Sequence, residues 1–305
     1  MNAVAFFGAV ETGLLYGFLS LGVYLSFRVL DFPDLTVDGS FPLGAAVAGT
    51  LIVAGVNPFV ATGIAMVAGG FAGLCTAFLS VRLGILNLLA SILTMIALYS
   101  VNLRIMGKPN LSLLNQPSVL DPLQGLLSGL PTMLVNPLIL LVGVVVAKVM
   151  VDLFLTSQLG LAMRATGMNS VMAQAQGVDT DRLILLGMAL SNGLAALSGA
   201  LFAQLYGFAD VTLGVGTVVV GLATVILGEA LLPSASVVSA TLAVLVGSVI
   251  YRVAIALALN AGFLGFKAQD LNLVTAILVV LALTLPNSRL FSKFKKKHSK
   301  KRLEA

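Results

Sequence analysis

The chain has 305 residues, 59% of them hydrophobic and 10% charged, with a mean hydropathy of +1.07. A soluble domain carries roughly 25% charged residues, so this composition excludes a water-soluble globule and indicates an all-α polytopic membrane protein. The net charge of +5 is uneven, because residues 289–302, RLFSKFKKKHSKKR, hold eight of the seventeen basic residues.

After an apolar span, such a run reads as a solvated cytoplasmic tail that touches anionic lipid heads, not as a nucleic-acid site. The single cysteine, Cys75, allows no intramolecular disulfide, and the single histidine, His298, lies in the tail. No His/Cys metal cluster and no Ser/His/Asp or Cys/His catalytic set is therefore expected. No G-x-x-x-x-G-K-[ST] motif occurs, so the chain does not hydrolyse ATP through a P-loop. Catalytic residues, metal and cofactor are all expected to be absent.

A spanning helix needs about 20 mostly apolar residues at 1.5 Å rise. In chain order the candidates fall near 4–27, 41–55, 58–80, 85–106, 137–156, 183–206, 215–232, 235–259 and 270–286, about nine in all. The first contains Glu11 and lacks a basic n-region and cleavage site, so it reads as a retained span. The second is too short to cross alone and has Pro42 near its start, which predicts a broken or partly re-entrant element. Gly13/Gly17 and Gly69/Gly73 are small-xxx-small pairs suited to close helix approach. Residues 107–135, with four prolines, form the only long extramembrane connection before 157–182.

The first span runs into FPDLTV at 32–37 and the sixth into FADVTL at 208–213; each copy precedes a Gly-rich apolar element. This predicts two inverted-topology repeats, spans one to four and six to nine, joined by the fifth span and a cytoplasmic stretch. With the tail cytoplasmic, alternation puts the N-terminus outside and 159–182 inside. Arg28, Arg82, Lys148, Arg164 and Arg182 then join the tail on the cytoplasmic side, against Arg104, Lys108 and Lys267 outside.

Charges within the oil need a partner or water. Glu11 is expected roughly 10 Å below the outer surface, in the same layer as Arg252 and Arg104. An ion pair with either would neutralise it; direct contact with a solute is the other reading. Lys148 and Asp152, one helical turn apart, are expected to neutralise each other. On the fourth span Asn87, Ser91 and Thr94 share one face, suited to interhelical hydrogen bonds or to a wet pathway, and Tyr99 and Asn102 follow. The candidates for lining a translocation path are Glu11, Asp38, Ser40, Asn87, Ser91, Thr94, Tyr99 and Arg252. Aromatic residues Tyr16, Phe18, Phe41 and Tyr99 favour a flat or apolar solute.

The stretch LGLAMRATGMNSVMAQAQGVDTDR at 159–182 is unusually polar for this chain. Asn169 is a good N-cap and Gly177 a good terminator for a helix of about two turns between them. Met168, Val171, Met172 and Ala175 fall on one side, with Ser170, Gln174 and Gln176 offering polar contacts. So short a helix does not persist alone in water. It rests either in a groove on a partner protein or, as an ordinary loop, on its own bundle.

This stretch resembles the cytoplasmic loop of permease subunits of bacterial ABC importers, in the branched-chain amino acid/ribose-type permease family. The family pattern G-x-x-x-R-A-x-G-x-N-x-x-A-A-x-x-x-G-[VI] is matched by Gly160, Arg164, Ala165, Gly167, Asn169, Ala173 and Gly177-Val178. Ser170 replaces the usual Pro, and one Ala of the pair is not kept. LTVDGSFPLGA at 35–45 is similar to the family's turn after the first core span, with Asp38 as an extra acid. VGTVVVGLATVILGEAL at 215–231 is similar to a later helix, with Glu229 in place of a Gly.

The resemblance implies a coupling helix that inserts into a separate ATPase subunit, carried here by Gly160, Arg164, Ala165, Thr166, Gly167, Met168, Asn169, Val171, Met172, Ala173, Gln174 and Gly177. It implies two permease copies, two ATPase subunits and a periplasmic or lipid-anchored binding protein. It also implies a permease domain over 1–288, with the coupling loop at 157–182 and the tail at 289–305, in the bacterial inner membrane. An amino acid or similar small solute is favoured as cargo. A secondary transporter or channel is the alternative, but it leaves 159–178 without a task.

Overall fold

The computed structural model describes residues 3–126, 131–232, 236–260, 276, 277 and 280. Helix α1 (Ala3–Val23) continues through a π-helical segment (Tyr24–Val29), followed by α2 (Val37–Val53), α3 (Pro58–Val81) and α4 (Asn87–Met106). After β1 (Asn110–Ser112) come α5 (Leu120–Leu126), α6 (Thr132–Thr156), α7 (Gln158–Met168), α8 (Ser170–Ala175) and α9 (Thr180–Tyr206). β2 (Phe208–Asp210), α10 (Thr217–Leu231) and α11 (Val237–Asn260) complete the described elements.

Six of these helices are long and apolar enough to cross a membrane: Val4–Val29, Pro58–Val81, Asn87–Met106, Leu134–Thr156, Thr180–Tyr206 and Val237–Leu259. The chain is an all-α multi-pass membrane protein, with one short ribbon added. Two apolar helices, α2 and α10, are shorter than a bilayer is thick. For α2 the sequence anticipates this. For 215–232 it does not, and that expected span is corrected to a helix of 15 residues. The cause is a turn at Gly216, whose φ of +81° no β-carbon tolerates well and which ends any helix approaching from the N-terminal side. The ninth expected span and the basic tail lie outside the described residues, apart from the helical Ala276, Ile277 and Val280.

At the centre α9 packs along α3 and α2, while α1 packs on α11, α9 and α6. The small residues foreseen as contact points serve that purpose. A β-carbon at Gly73 would run into the Met188 carbonyl, and one at Gly13 would meet the Val249 backbone at 2.8 Å. Outward faces of α3, α4 and α6 carry exposed Phe71, Leu93, Val142 and Leu153, as a lipid-facing helix requires.

One feature departs from a purely helical reading. β1 and β2 pair antiparallel, with Asn110 opposite Asp210 and Leu111 opposite Ala209. Leu111 and Ala209 are buried, so three residues on each side suffice to clamp the 107–119 connection onto the end of α9.

Candidate functional site

The polar stretch 159–182 folds as two helices meeting at Asn169. Ser157 opens α7 by accepting the Gly160 amide at 3.3 Å. Met163 and Thr166 bury against the bundle, and Gly167 lies so close to the Val29 carbonyl that a side chain there would strike it. Asn169 then turns extended, at φ −162°, and caps α8 by accepting the Met172 amide at 2.9 Å. Gly177, at φ +83°, ends the unit. Only Ala173 of α8 is buried, and Gln174 ties the helix back by donating to Thr180 Oγ1 at 2.7 Å.

The outward side is apolar: Met168 is 89% exposed, Val171 74% and Met172 63%. Ala175, the fourth side chain expected on that side, is exposed as well.

Beneath α7, Arg28 at the end of the π-helical segment meets Glu229 near the end of α10. Arg28 Nε and Nη2 donate to the two carboxylate oxygens at 2.7 and 2.6 Å. Beside this pair lies a cleft of about 380 Å³ lined by Tyr24, Phe27, Arg28, Asp31, Arg164 and Met168. The pair joins the first broken region to the second, and α7 rests on the same π-helical segment. The sequence marks both residues but does not connect them.

Deeper in the bundle the N-termini of α2 and α10 meet. Asp38, in the first turn of α2, caps α10: Oδ1 accepts the Val218 amide at 2.8 Å and the Thr217 hydroxyl at 2.9 Å, and Oδ2 the Gly216 amide at 3.1 Å. A carboxylate there complements the exposed N–H groups and positive end of the helix. Pro42 has no N–H to return to the Asp38 carbonyl. Gly214 packs against that freed oxygen so closely that no β-carbon would fit.

Next to this junction, Asp38, Pro42, Met95, Tyr99, Asn102 and Val215 are among the residues lining a cleft of about 450 Å³. Asn102 is fully buried; its Nδ2 donates to the Gly39 carbonyl at 3.2 Å, while its Oδ1 has no partner.

A second polar network lies behind. Asp34 is fully buried and accepts the Thr36 amide at 2.8 Å and Asn192 Nδ2 at 2.7 Å. Ser40 donates to Asn192 Oδ1 at 2.7 Å, and Thr36 meets Thr76 at 2.7 Å. In the second F-x-D-x-T segment Asp210 accepts the Thr212 amide at 2.7 Å, the same turn two residues on. Asp210 lies outside the spans. Burial pushes its pKa up, but hydrogen bonds from the Thr212 hydroxyl and amide and from Asn110 outweigh that and hold it below the usual carboxylate value.

Of the eight residues expected to line a path, only Asp38 and Tyr99 reach the larger cleft. Ser40 belongs to the Asp34–Asn192 network. Ser91 and Thr94 are buried and bond to carbonyls of their own helix, Leu88 and Ala90, at 2.8 and 3.0 Å. Asn87 accepts from Ser80 at the opposite end of α4.

Glu11 enters none of the ion pairs found among the described residues, which corrects the expected pairing with Arg252 or Arg104. Its partner is the Asn136 side chain. Arg252 lies instead over the Tyr16 ring, 3.7 Å from its centroid, a cation–π contact that a sequence cannot display. Tyr16, Phe18 and Phe41 are core residues rather than path lining. Lys148 and Asp152 pair as expected, and Asp152 also accepts the Thr241 hydroxyl at 2.6 Å.

Short helices meeting head to head inside a bundle of spanning helices, with an apolar helix held outside it, define a membrane permease. The chain belongs to the family described as "Branched-chain amino acid transport system / permease component", which matches residues 5–285. It is a transmembrane permease component of an ABC-type importer and carries no nucleotide-binding P-loop. Membership implies the usual partners of such importers: a second permease, an ATPase and a substrate-binding protein.

Among its relatives, the "Tyrosine transport system permease protein" of Clostridioides difficile (strain R20291) is 39% identical over 275 residues, 90% of this chain and 88% of the relative. The "Uncharacterized protein RP368" of Rickettsia prowazekii (strain Madrid E) is 40% identical over 208 residues, 68% of this chain and 71% of that one. The fold is shared with PsaBC from Streptococcus pneumoniae, solved in complex with Fab, at TM-score 0.50 and 15% identity, over 91% of this chain and 89% of that one.

Proposed function

We propose that the chain forms half of the translocation path of an importer for an amino acid, with aromatic amino acids foremost. In this reading α8 is the coupling helix. Two copies of the chain surround the path, each gripped from the cytosol by an ATPase subunit, and an external binding protein delivers the solute. The N-terminus lies outside and the tail in the cytosol of a bacterial inner membrane. Residues 1–288 form the permease domain and 289–305 its basic tail. The halves that begin at α1 and α9 are inverted repeats, a reading supported by the matching Asp34 and Asp210 turns and by the meeting of α2 with α10. The aromatic preference rests on the tyrosine permease relative.

The observation that carries this reading is the exposure of Met168 at the end of α7 and of Val171 and Met172 on α8, a helix too short to persist unaided. Closure of the ATPase pair would push α8, and α7 would pass the displacement to the π-helical segment through Gly167 and on to α10 through Arg28–Glu229. Such a route needs a path whose affinity differs between its two states.

The test is co-purification with a P-loop ATPase encoded beside this chain. Val171→Asp or Met172→Asp should abolish capture of the ATPase while leaving the permease folded. Uptake into vesicles without ATP, or undiminished capture by both variants, would defeat the reading in favour of a secondary transporter or channel.

A further inference from the structure

The larger cleft is chemically one-sided. Among its lining residues Asp38 supplies a carboxylate, Asn102 an acceptor without a donor, and none is basic. Asn102 cannot cure its orphan oxygen by turning over. A flipped amide would set Oδ1 against the Gly39 carbonyl and forfeit the bond that Nδ2 makes there. The amide is thus locked with Oδ1 unsatisfied, and Gly39, which locks it, directly follows Asp38. A buried acceptor left without a donor is costly, so its retention calls for a visiting donor.

The remaining walls are Pro42, Met95, Ile96, Tyr99, Ser100, Val211 and Val215, apolar and partly aromatic apart from the Ser100 and Tyr99 hydroxyls. We infer that this cleft is a solute site that recognises a primary ammonium group, held between Asn102 Oδ1 and the Asp38 carboxylate, with the solute's apolar body against Met95, Ile96 and Tyr99. An ammonium carries three donors and a positive charge, which suits an unpartnered oxygen beside an anion. A carboxylate at the same end would meet the like charge of Asp38. A neutral sugar would gain the hydrogen bond but not the charge. This inference rests on the importer reading and names the end of the solute that the permease grips.

The test uses the whole complex in proteoliposomes, offered labelled amino acids, their des-amino acids, ribose and uridine. The wild-type complex should import amine-bearing solutes and reject the des-amino counterparts. Asn102→Leu should cut initial uptake at sub-saturating solute by about ten- to hundred-fold, the cost of one hydrogen bond to a charged group. Wild-type import of a des-amino acid or ribose as fast as of any amine overturns the site, and this arm needs no variant to fold. So does an assembled Asn102→Leu complex within about twofold of the wild type. Uptake that needs no ATP overturns the importer reading instead, whatever the selectivity.

Discussion

Arg28 and Glu229 stand 201 positions apart and meet through both prongs of the guanidinium, at 2.7 and 2.6 Å. The Arg28 side chain is 61% exposed, so the pair contributes at most about 1 kcal/mol to stability. Its geometry still ties the π-helical segment to α10, directly under α7. Glu229→Gln should therefore move the melting temperature by only a few degrees but lower solute moved per ATP hydrolysed severalfold. The doubly reversed Arg28→Glu/Glu229→Arg should recover most of that ratio. Equal transport per ATP in Glu229→Gln and wild type would remove this pair from the route.

Asp38 caps a helix that has no cap of its own. Asp38→Ala strips three acceptor contacts from Gly216, Thr217 and Val218 and should destabilise the protein by about 1–2 kcal/mol, with Asp38→Asn losing less. Hydrogen exchange at the Val218 amide reports the change locally, and it should quicken in the Ala variant first.

Lys148 and Asp152 are both 8% exposed, so each depends on the other. Removing one leaves a buried charge. Asp152→Ala should cost about 3–5 kcal/mol, seen as a large drop in detergent melting temperature. The double variant Lys148→Met/Asp152→Leu should be closer to wild type than either single change, reduced by whatever the Thr241 bond contributes.

The Asn169 cap sets the angle between α7 and α8. Asn169→Ala should cost about 1 kcal/mol of local stability and weaken ATPase capture severalfold; Asn169→Asp, which keeps the acceptor, should not. Comparable capture by the two variants would detach the cap from docking.

Asp210 has a depressed pKa, so the ionised form favours the folded β1–β2 ribbon. That contribution is fully present above the ordinary aspartate value of 3.8 and lost as pH falls through the lower folded value. Amide protection at Leu111 and Ala209 should be flat from neutral pH to about 5 and decline only in stronger acid. Asp210→Asn should abolish that acid-dependent decline.

Much of the architecture is legible in the linear chain because lipid reads composition locally. An apolar run of about 20 residues specifies a crossing helix wherever it occurs, and the six long helices lie where such runs lie. Asn169 and Gly177 are equally local, since a cap and a positive φ are properties of single residues, and they delimit α8 as expected. The 215–232 segment misleads because its composition suits a span while Gly216 and the distant Asp38 decide where the helix begins. Glu11 misleads for a related reason: depth in the membrane is readable, but which neighbour faces a carboxylate is not.

The sequence by itself determined that this is a multi-pass membrane protein with no P-loop and a short, capped helix between two of its spans. Only tertiary structure decided that Arg28 reaches Glu229, that Asp38 caps α10, and that Asn102, on the wall of a cleft, keeps a buried oxygen without a partner. The physical reason is range. Insertion, chain reversal and a cap supplied by a helix's own first residue depend on groups within a turn or two of each other. A polar side chain inside a bundle, by contrast, is satisfied by whichever helix packing brings it, up to about two hundred residues away.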